Sequence, residues 1–175
     1  MTTYILAGGC FWCLDAVYRR IKGVTEVVSG YIGGHVPNPT YDQVCTETTG
    51  HAEAVQVTFD ESVIPGRTIL DIFFTIHDPT TLDQQGADVG TQYRSALFYR
   101  DTDQETVFRE AVARAEALWD NPIVTEIVEA DHFYPAEDTH QDYFNNNPDA
   151  GYCSVVIVPK IIKARQKFAD WYIQS

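Results

Sequence analysis

Gly8-Gly9-Cys10-Phe11-Trp12-Cys13 is the stretch whose residue types could carry chemistry. The two glycines let the chain turn sharply where a short apolar run gives way to a helical pattern. That turn sets Cys10 at a helix N-terminus, where free N–H groups and partial positive charge favour a nucleophilic thiolate. Cys13 completes a C-x-x-C, which reads as a redox pair, as half of a zinc site, or as a small hydrophobe on the first helical turn. No second C-x-x-C follows, and the five histidines show no ligand spacing to this one, so no metal is expected. Glu53 alternates with Val55, Val57 and Phe59 and so points to an apolar side. It either reaches water at a strand edge or is buried with a raised pKa, which would make it a general acid near neutrality. Tyr31, Tyr41, Tyr93, Tyr134, Tyr143 and Tyr152 crowd the loops, where phenols could bind a polar oxygen or simply cover a core. Asp88 could hold loop amides or take part in chemistry. Cys153, in a segment read as flexible, could swing to a distant sulfur or sit as a surface thiol.

The elements that must position these groups follow from periodicity. Residues 3–7 read as a strand, and 11–22 as a helix stopped by Gly23. Strands are expected at 24–31, 53–59, 95–100 and 123–130, with loops at 33–50 and 78–92. Residues 68–77 are apolar nearly all round, as in a deeply buried helix. Thr102 with Glu105 reads as a capping box for a helix with Val107, Ala111, Ala115 and Leu118 on one stripe. Residues 131–158 read as largely irregular, and 160–172 as an amphipathic helix with Ile161, Ala164, Phe168 and Trp171 aligned. The β-α-β order implies an α/β layer or a split β-α-β, ferredoxin-like sheet.

With 175 residues the chain is expected as one domain, a core at about 1–130 and a C-terminal segment at 131–175 carrying Cys153. Twelve basic against 25 acidic residues give a net charge of −13, which argues against nucleic acid or an anionic membrane as partner. No apolar run is long enough to span a bilayer, and the N-terminus lacks the pattern of a signal peptide. A cytoplasmic location and a monomer are expected. In a reducing compartment four cysteines point to thiol chemistry or buried thiols rather than structural disulfides. The residues alone leave open a dithiol oxidoreductase, a cysteine hydrolase pairing Cys10 with His51 or His140, and an acidic binding module.

Further motifs occur in order: Gly30-Tyr31-Ile32-Gly33-Gly34, Asn38-Pro39-Thr40-Tyr41, Thr49-Gly50-His51-Ala52-Glu53, His77-Asp78-Pro79-Thr80, the run from Gln85 to Ser95, His140-Gln141-Asp142-Tyr143 and Asn147-Pro148. With Gly9-Cys10-Phe11-Trp12 they make the chain resemble, over nearly its whole length, the peptide-methionine sulfoxide reductase family of type A. The resemblance implies a ferredoxin-like α/β sandwich without metal or organic cofactor. It also implies reduction of the S epimer of methionine sulfoxide, free or in proteins. Cys10 would be the nucleophile, Phe11 and Trp12 the pocket for the S-methyl group, and Glu53 the proton donor. Tyr41 and Tyr93 would bind the sulfoxide oxygen, and Asp88 would support the polar network. A second thiol would turn the Cys10 sulfenic acid into a disulfide, reopened by thioredoxin or a glutaredoxin-like reductant. Two departures mark this chain. Cys13 stands where many members have glycine, and only Cys153 is present near the C-terminus. The Gly-Tyr-Cys match favours Cys153 as the resolving thiol, with Cys13 the alternative and a relay through both also open. Cys45 is read as a buried structural thiol.

Overall fold

The computed structural model describes residues 1–173. Its frame is a six-stranded sheet of β1 (Thr2–Ala7), β2 (Val24–Ile32), β3 (Ala52–Phe59), β6 (Ala96–Tyr99), β7 (Glu126–Glu129) and β8 (Tyr134–Pro135), in the order β7-β6-β1-β3-β2-β8. Strands β4 (Gln84–Gln85) and β5 (Asp88–Val89) form a separate two-residue ladder. Strand β3 lies antiparallel between β1 and β2, and β1 antiparallel between β3 and β6. This is the split β-α-β arrangement expected. Strand β7 adds to β6 in parallel, and β8 to β2 in antiparallel.

Alternation along the strands sorts side chains to two faces. Tyr4, Leu6, Val55, Val57 and Phe59 point to one face. There they meet α1 (Phe11–Tyr18), α3 (Gly66–Ile76), α4 (Thr102–Glu116) and α6 (Val158–Lys167). Ile5, Ala7, Ala52, Ala54 and Phe98 point to the other face, where Ala130 and Phe133 pack against them. Two short helices, α2 (Tyr41–Cys45) and α5 (Tyr143–Asn146), lie in the connecting segments. No helix among the described residues is long and apolar enough to cross a membrane.

Several local expectations are corrected. Helix α1 ends at Tyr18, not at residue 22, because the next residues are drawn toward the C-terminal segment. Lys22 N–H donates to the Trp171 carbonyl, and Ile21 bridges Tyr172. Gly23, at φ +88°, then serves the turn into β2. Helix α4 is capped one residue early. The Asp101 carboxylate accepts from Gln104 N–H at 2.8 Å, and Glu105 pairs with Arg109 instead of closing a capping box. Its buried stripe is Phe108, Ala111 and Ala115, and Leu118, beyond the helix end, is exposed. The 33–50 loop contains α2, whose capping box is Thr40 with Gln43. Cys45 lies on α2 and is exposed, not the buried thiol expected, because the face of that turn that packs inward carries Val44.

Residues 131–158 hold more structure than their composition suggests. Beyond β8 and α5, Cys153–Ile157 form a π turn that runs directly into α6. The helical part of the last element ends at Lys167, followed by a 3-10 turn at Ala169–Trp171.

Candidate active site

Strand β1 delivers Gly8-Gly9 to the start of α1, and Cys10 is the N-cap residue, 5% exposed. Gly9 has φ +89°, and a Cβ there would come within 2.7 Å of Gln85 Cγ. Gln85 cannot yield easily, because its amide clamps both the N–H (2.7 Å) and the carbonyl (2.9 Å) of Asp78. A Gly9→Ala variant is therefore expected to lose about 1–3 kcal/mol of stability, measurable by urea denaturation. A midpoint equal to wild type would show the turn to be relaxed.

Glu53, the second residue of β3, is fully buried on the helix-covered face, as strand parity requires. Its Oε1 accepts from the Phe11 N–H at 3.1 Å, and its Oε2 has no hydrogen-bond partner among the described residues. Burial pushes its pKa up to about 8, with the Phe11 N–H pulling against the shift and Asp88 adding to it. The edge-exposed reading of Glu53 is thus excluded, and at neutral pH the group holds a proton.

The expectation of a resting thiolate at Cys10 is not met. Burial drives the Cys10 thiol well above its ordinary value, reinforced by neighbouring Cys13 and by Glu53. The helix-end N–H of Trp12 works in the opposite direction and loses. Cys13 shifts down, chiefly through neighbouring Cys10, with Lys160 also contributing against burial.

An aromatic cage surrounds the pair. Phe11 is fully buried, its ring centroid 5.6 Å from Tyr31 and 5.5 Å from His140. Trp12 is half-buried. Tyr143 stacks on it with centroids 3.7 Å apart, and its indole N–H donates to His140 Nδ1 at 3.1 Å. Tyr41 stacks on His140 at 4.4 Å. Burial raises the pKa of Tyr41 and Tyr93, and nearby Glu53 raises both further, so both phenols stay protonated donors. Tyr152 O–H donates to Asp88 Oδ2 at 2.6 Å and lies 3.7 Å from Cys13 Sγ. Cys153 is buried, its thiol donating to the Asn147 carbonyl at 3.1 Å, so it is not a surface thiol.

Sequence reasoning gives His140 only a possible pairing with Cys10 and Tyr143 only a place among the loop phenols, and it does not single out Glu137. Glu137 accepts from the Tyr31 hydroxyl (2.9 Å) and from the Tyr41 N–H (3.0 Å), tying β2 to α2. Gln141 pins this segment to β2 by bonding both the N–H and the carbonyl of Ser29. His51 serves structure: its Nδ1 accepts from Gly34 N–H at 3.0 Å and its Nε2 donates to the Val36 carbonyl at 2.7 Å. His140 is bound to Trp12, so neither histidine forms a Cys–His pair with Cys10. Among the described residues no three His, Cys, Asp or Glu side chains stand together as a metal site.

A thiol pair beside a protonated buried carboxyl suits two-electron sulfur chemistry with its own proton source, which makes the protein a cysteine-based oxidoreductase. The chain belongs to the peptide methionine sulfoxide reductase family, whose family model matches residues 2–172. It is 61% identical over 171 residues to peptide methionine sulfoxide reductase MsrA of Clavibacter michiganensis, with 98% of each chain covered. Among solved structures it is similar to reduced Mxr1 from Saccharomyces cerevisiae, at 37% identity and a TM-score of 0.81 over 87% of this chain and 88% of that one. It is also similar to Mxr1 solved in complex with Trx2, at 30% identity and a TM-score of 0.57 over 81% and 84%. The protein is a thiol-dependent methionine sulfoxide reductase.

Proposed function

We propose that the protein reduces the S epimer of methionine sulfoxide through a sulfenic acid on Cys10. The observation that carries this reading is the buried Glu53, protonated at neutral pH with one oxygen unpartnered, beside the Cys10 thiol. Sulfoxide sulfur is a poor electrophile until its oxygen is protonated. Glu53 supplies that proton, Tyr41 and Tyr93 donate hydrogen bonds to the oxygen, and Asp88 holds Tyr152 in place. Phe11 and Trp12 form the apolar wall for the S-methyl group. As Cys10 gives up its proton and attacks, the oxygen ends on Cys10 and methionine leaves. The balance is thiol plus sulfoxide giving sulfenic acid plus thioether.

Cys13, on the first turn of the helix that Cys10 caps, is the first resolving thiol, with loss of water. Cys153 then takes over the disulfide, so that both candidates act in a relay. The alternative reading, a dithiol–disulfide oxidoreductase using Cys10 and Cys13, is not favoured beside the match to methionine sulfoxide reductases over nearly the whole chain. Thioredoxin fits as the external reductant, because Mxr1 has been solved with Trx2. A glutaredoxin-like dithiol would use the same disulfide. The cycle needs no organic cofactor, and a monomer in the cytoplasm, where dithiols are kept reduced, suits it.

Separated epimers test the reading: with dithiothreitol the S epimer is consumed and the R epimer is not. Equal consumption of both would refute it. Without reductant, mass spectrometry of the wild-type protein is expected to find a disulfide involving Cys153, and of Cys153→Ser a Cys10–Cys13 bridge. A Cys10–Cys13 bridge as the only product in wild type would remove Cys153 from the cycle.

A further inference from the structure

A cavity of about 260 Å³ opens onto Cys10, lined also by Gln85, Asp88, Tyr152, Val156 and Lys160. None of Phe11, Trp12, Tyr41, Tyr93 or Glu53 lines it, so it lies beside the sulfoxide-binding wall and shares Asp88 and Tyr152 with that wall's polar network. Lys160 is half-buried on α6 and has no ion-pair partner among the described residues. In a chain with 25 acidic and 12 basic residues, Lys160 is a cation that shares a cavity wall with the reacting cysteine and is placed to receive an anion there. Asp88 is the anion in this wall. Its Oδ2 is engaged by Tyr152, and its Oδ1 accepts no hydrogen bond from the described residues. One free cation and one half-satisfied anion then face a cavity large enough for a short zwitterionic chain.

We infer that this cavity is a carboxylate subsite, in which Lys160 receives the carboxylate of a small molecule whose sulfur is at Cys10. The inference rests on the reductase reading and names its preferred small substrate. In methionine sulfoxide a chain of three carbons separates the sulfur from the carboxylate carbon, so a sulfur placed at Cys10 leaves the carboxylate within the same cavity. Asp88 is then available to the α-ammonium group of the free amino acid. A sulfoxide within a polypeptide presents neither charge. A small thiol reductant bearing a carboxylate, with its sulfur directed at an oxidised Cys10, would use the same cation.

The test compares ratios within each protein, so a general loss of activity does not confuse it. With dithiothreitol as reductant, wild type is expected to show a kcat/KM about tenfold higher for N-acetyl-methionine (S)-sulfoxide than for its N-methylamide, which lacks the carboxylate. Lys160→Met brings that ratio to about one, and Lys160→Arg retains it. In a second arm the methylamide is saturating, and turnover with glutathione is compared with turnover with 2-mercaptoethanol. Collapse of the first ratio in Lys160→Met assigns the subsite to the substrate, and collapse of the second alone assigns it to the thiol. If Lys160→Met changes neither ratio, the subsite does not exist. If wild type reduces neither sulfoxide with any thiol, the reductase reading itself fails, and the subsite with it.

Discussion

Cys10→Ser is expected to abolish methionine sulfoxide reduction, a loss of at least about 10⁴-fold. The exchange is nearly isosteric in a site that is 5% exposed, so the fold should survive it. The chemistry should not. A serine hydroxyl is a poor nucleophile toward sulfur, and it can form neither a sulfenic acid nor a disulfide. Two measurements check this. Steady-state turnover should fall below detection while the thermal midpoint stays near that of wild type. In a single turnover without reductant, wild type should release at least one equivalent of methionine and the variant none. A full first burst from the variant would move the oxygen acceptor to Cys13 and overturn the assignment of Cys10.

Glu53→Gln carries the second large effect, about 10²- to 10⁴-fold in kcat. The amide keeps the shape and can still accept from the Phe11 N–H, but it has no acidic proton to transfer. With the Glu53 pKa raised to about 8, the wild-type rate should hold below that pH and fall as the carboxyl ionises above it. The variant should lack this falling limb. Stability moves the other way. A carboxyl whose folded pKa lies above its unfolded value binds more protons in the native state, so wild-type stability falls as pH rises between the two. The glutamine variant should therefore gain thermal stability relative to wild type from about pH 4.5 to about pH 8, with no further gain above. A variant both inactive and less stable at pH 8 would point to a structural role for Glu53 instead.

Glu53 and Cys10 are legible in the sequence for different reasons. Glu53 is readable because strand alternation is a local rule, and the sheet obeys it from Glu53 to Phe59. Cys10 is readable by position, since paired glycines before a helical pattern fix a turn. Its protonation is not, because the helix-end N–H groups are local while the burial that outweighs them is built by distant segments. The same holds for His140, Tyr143 and Tyr152. They sit on short turns with weak periodicity, placed by contacts made far along the chain. Asp15 shows how. It is buried in α1 with its Arg19 ion pair at 2.6 Å, while Arg19 also reaches Asp142 at 3.6 Å and Arg20 bonds Asn145 at 2.8 Å. Cys45 is misplaced by sequence reasoning because its neighbour Val44 takes the fully buried position of a one-turn helix.

The π turn at Cys153–Ile157 gives the C-terminal segment a phase that can change. A π turn holds one residue more than an α turn, and one residue corresponds to about 100° of rotation in an α-helix. Relaxing the turn to α geometry would swing Cys153 by roughly that angle about the axis, while α6 with Lys160 and Ala164 stays docked on the core. A buried sulfur can thus change the direction it faces by a screw motion of its own helix, without the whole segment letting go.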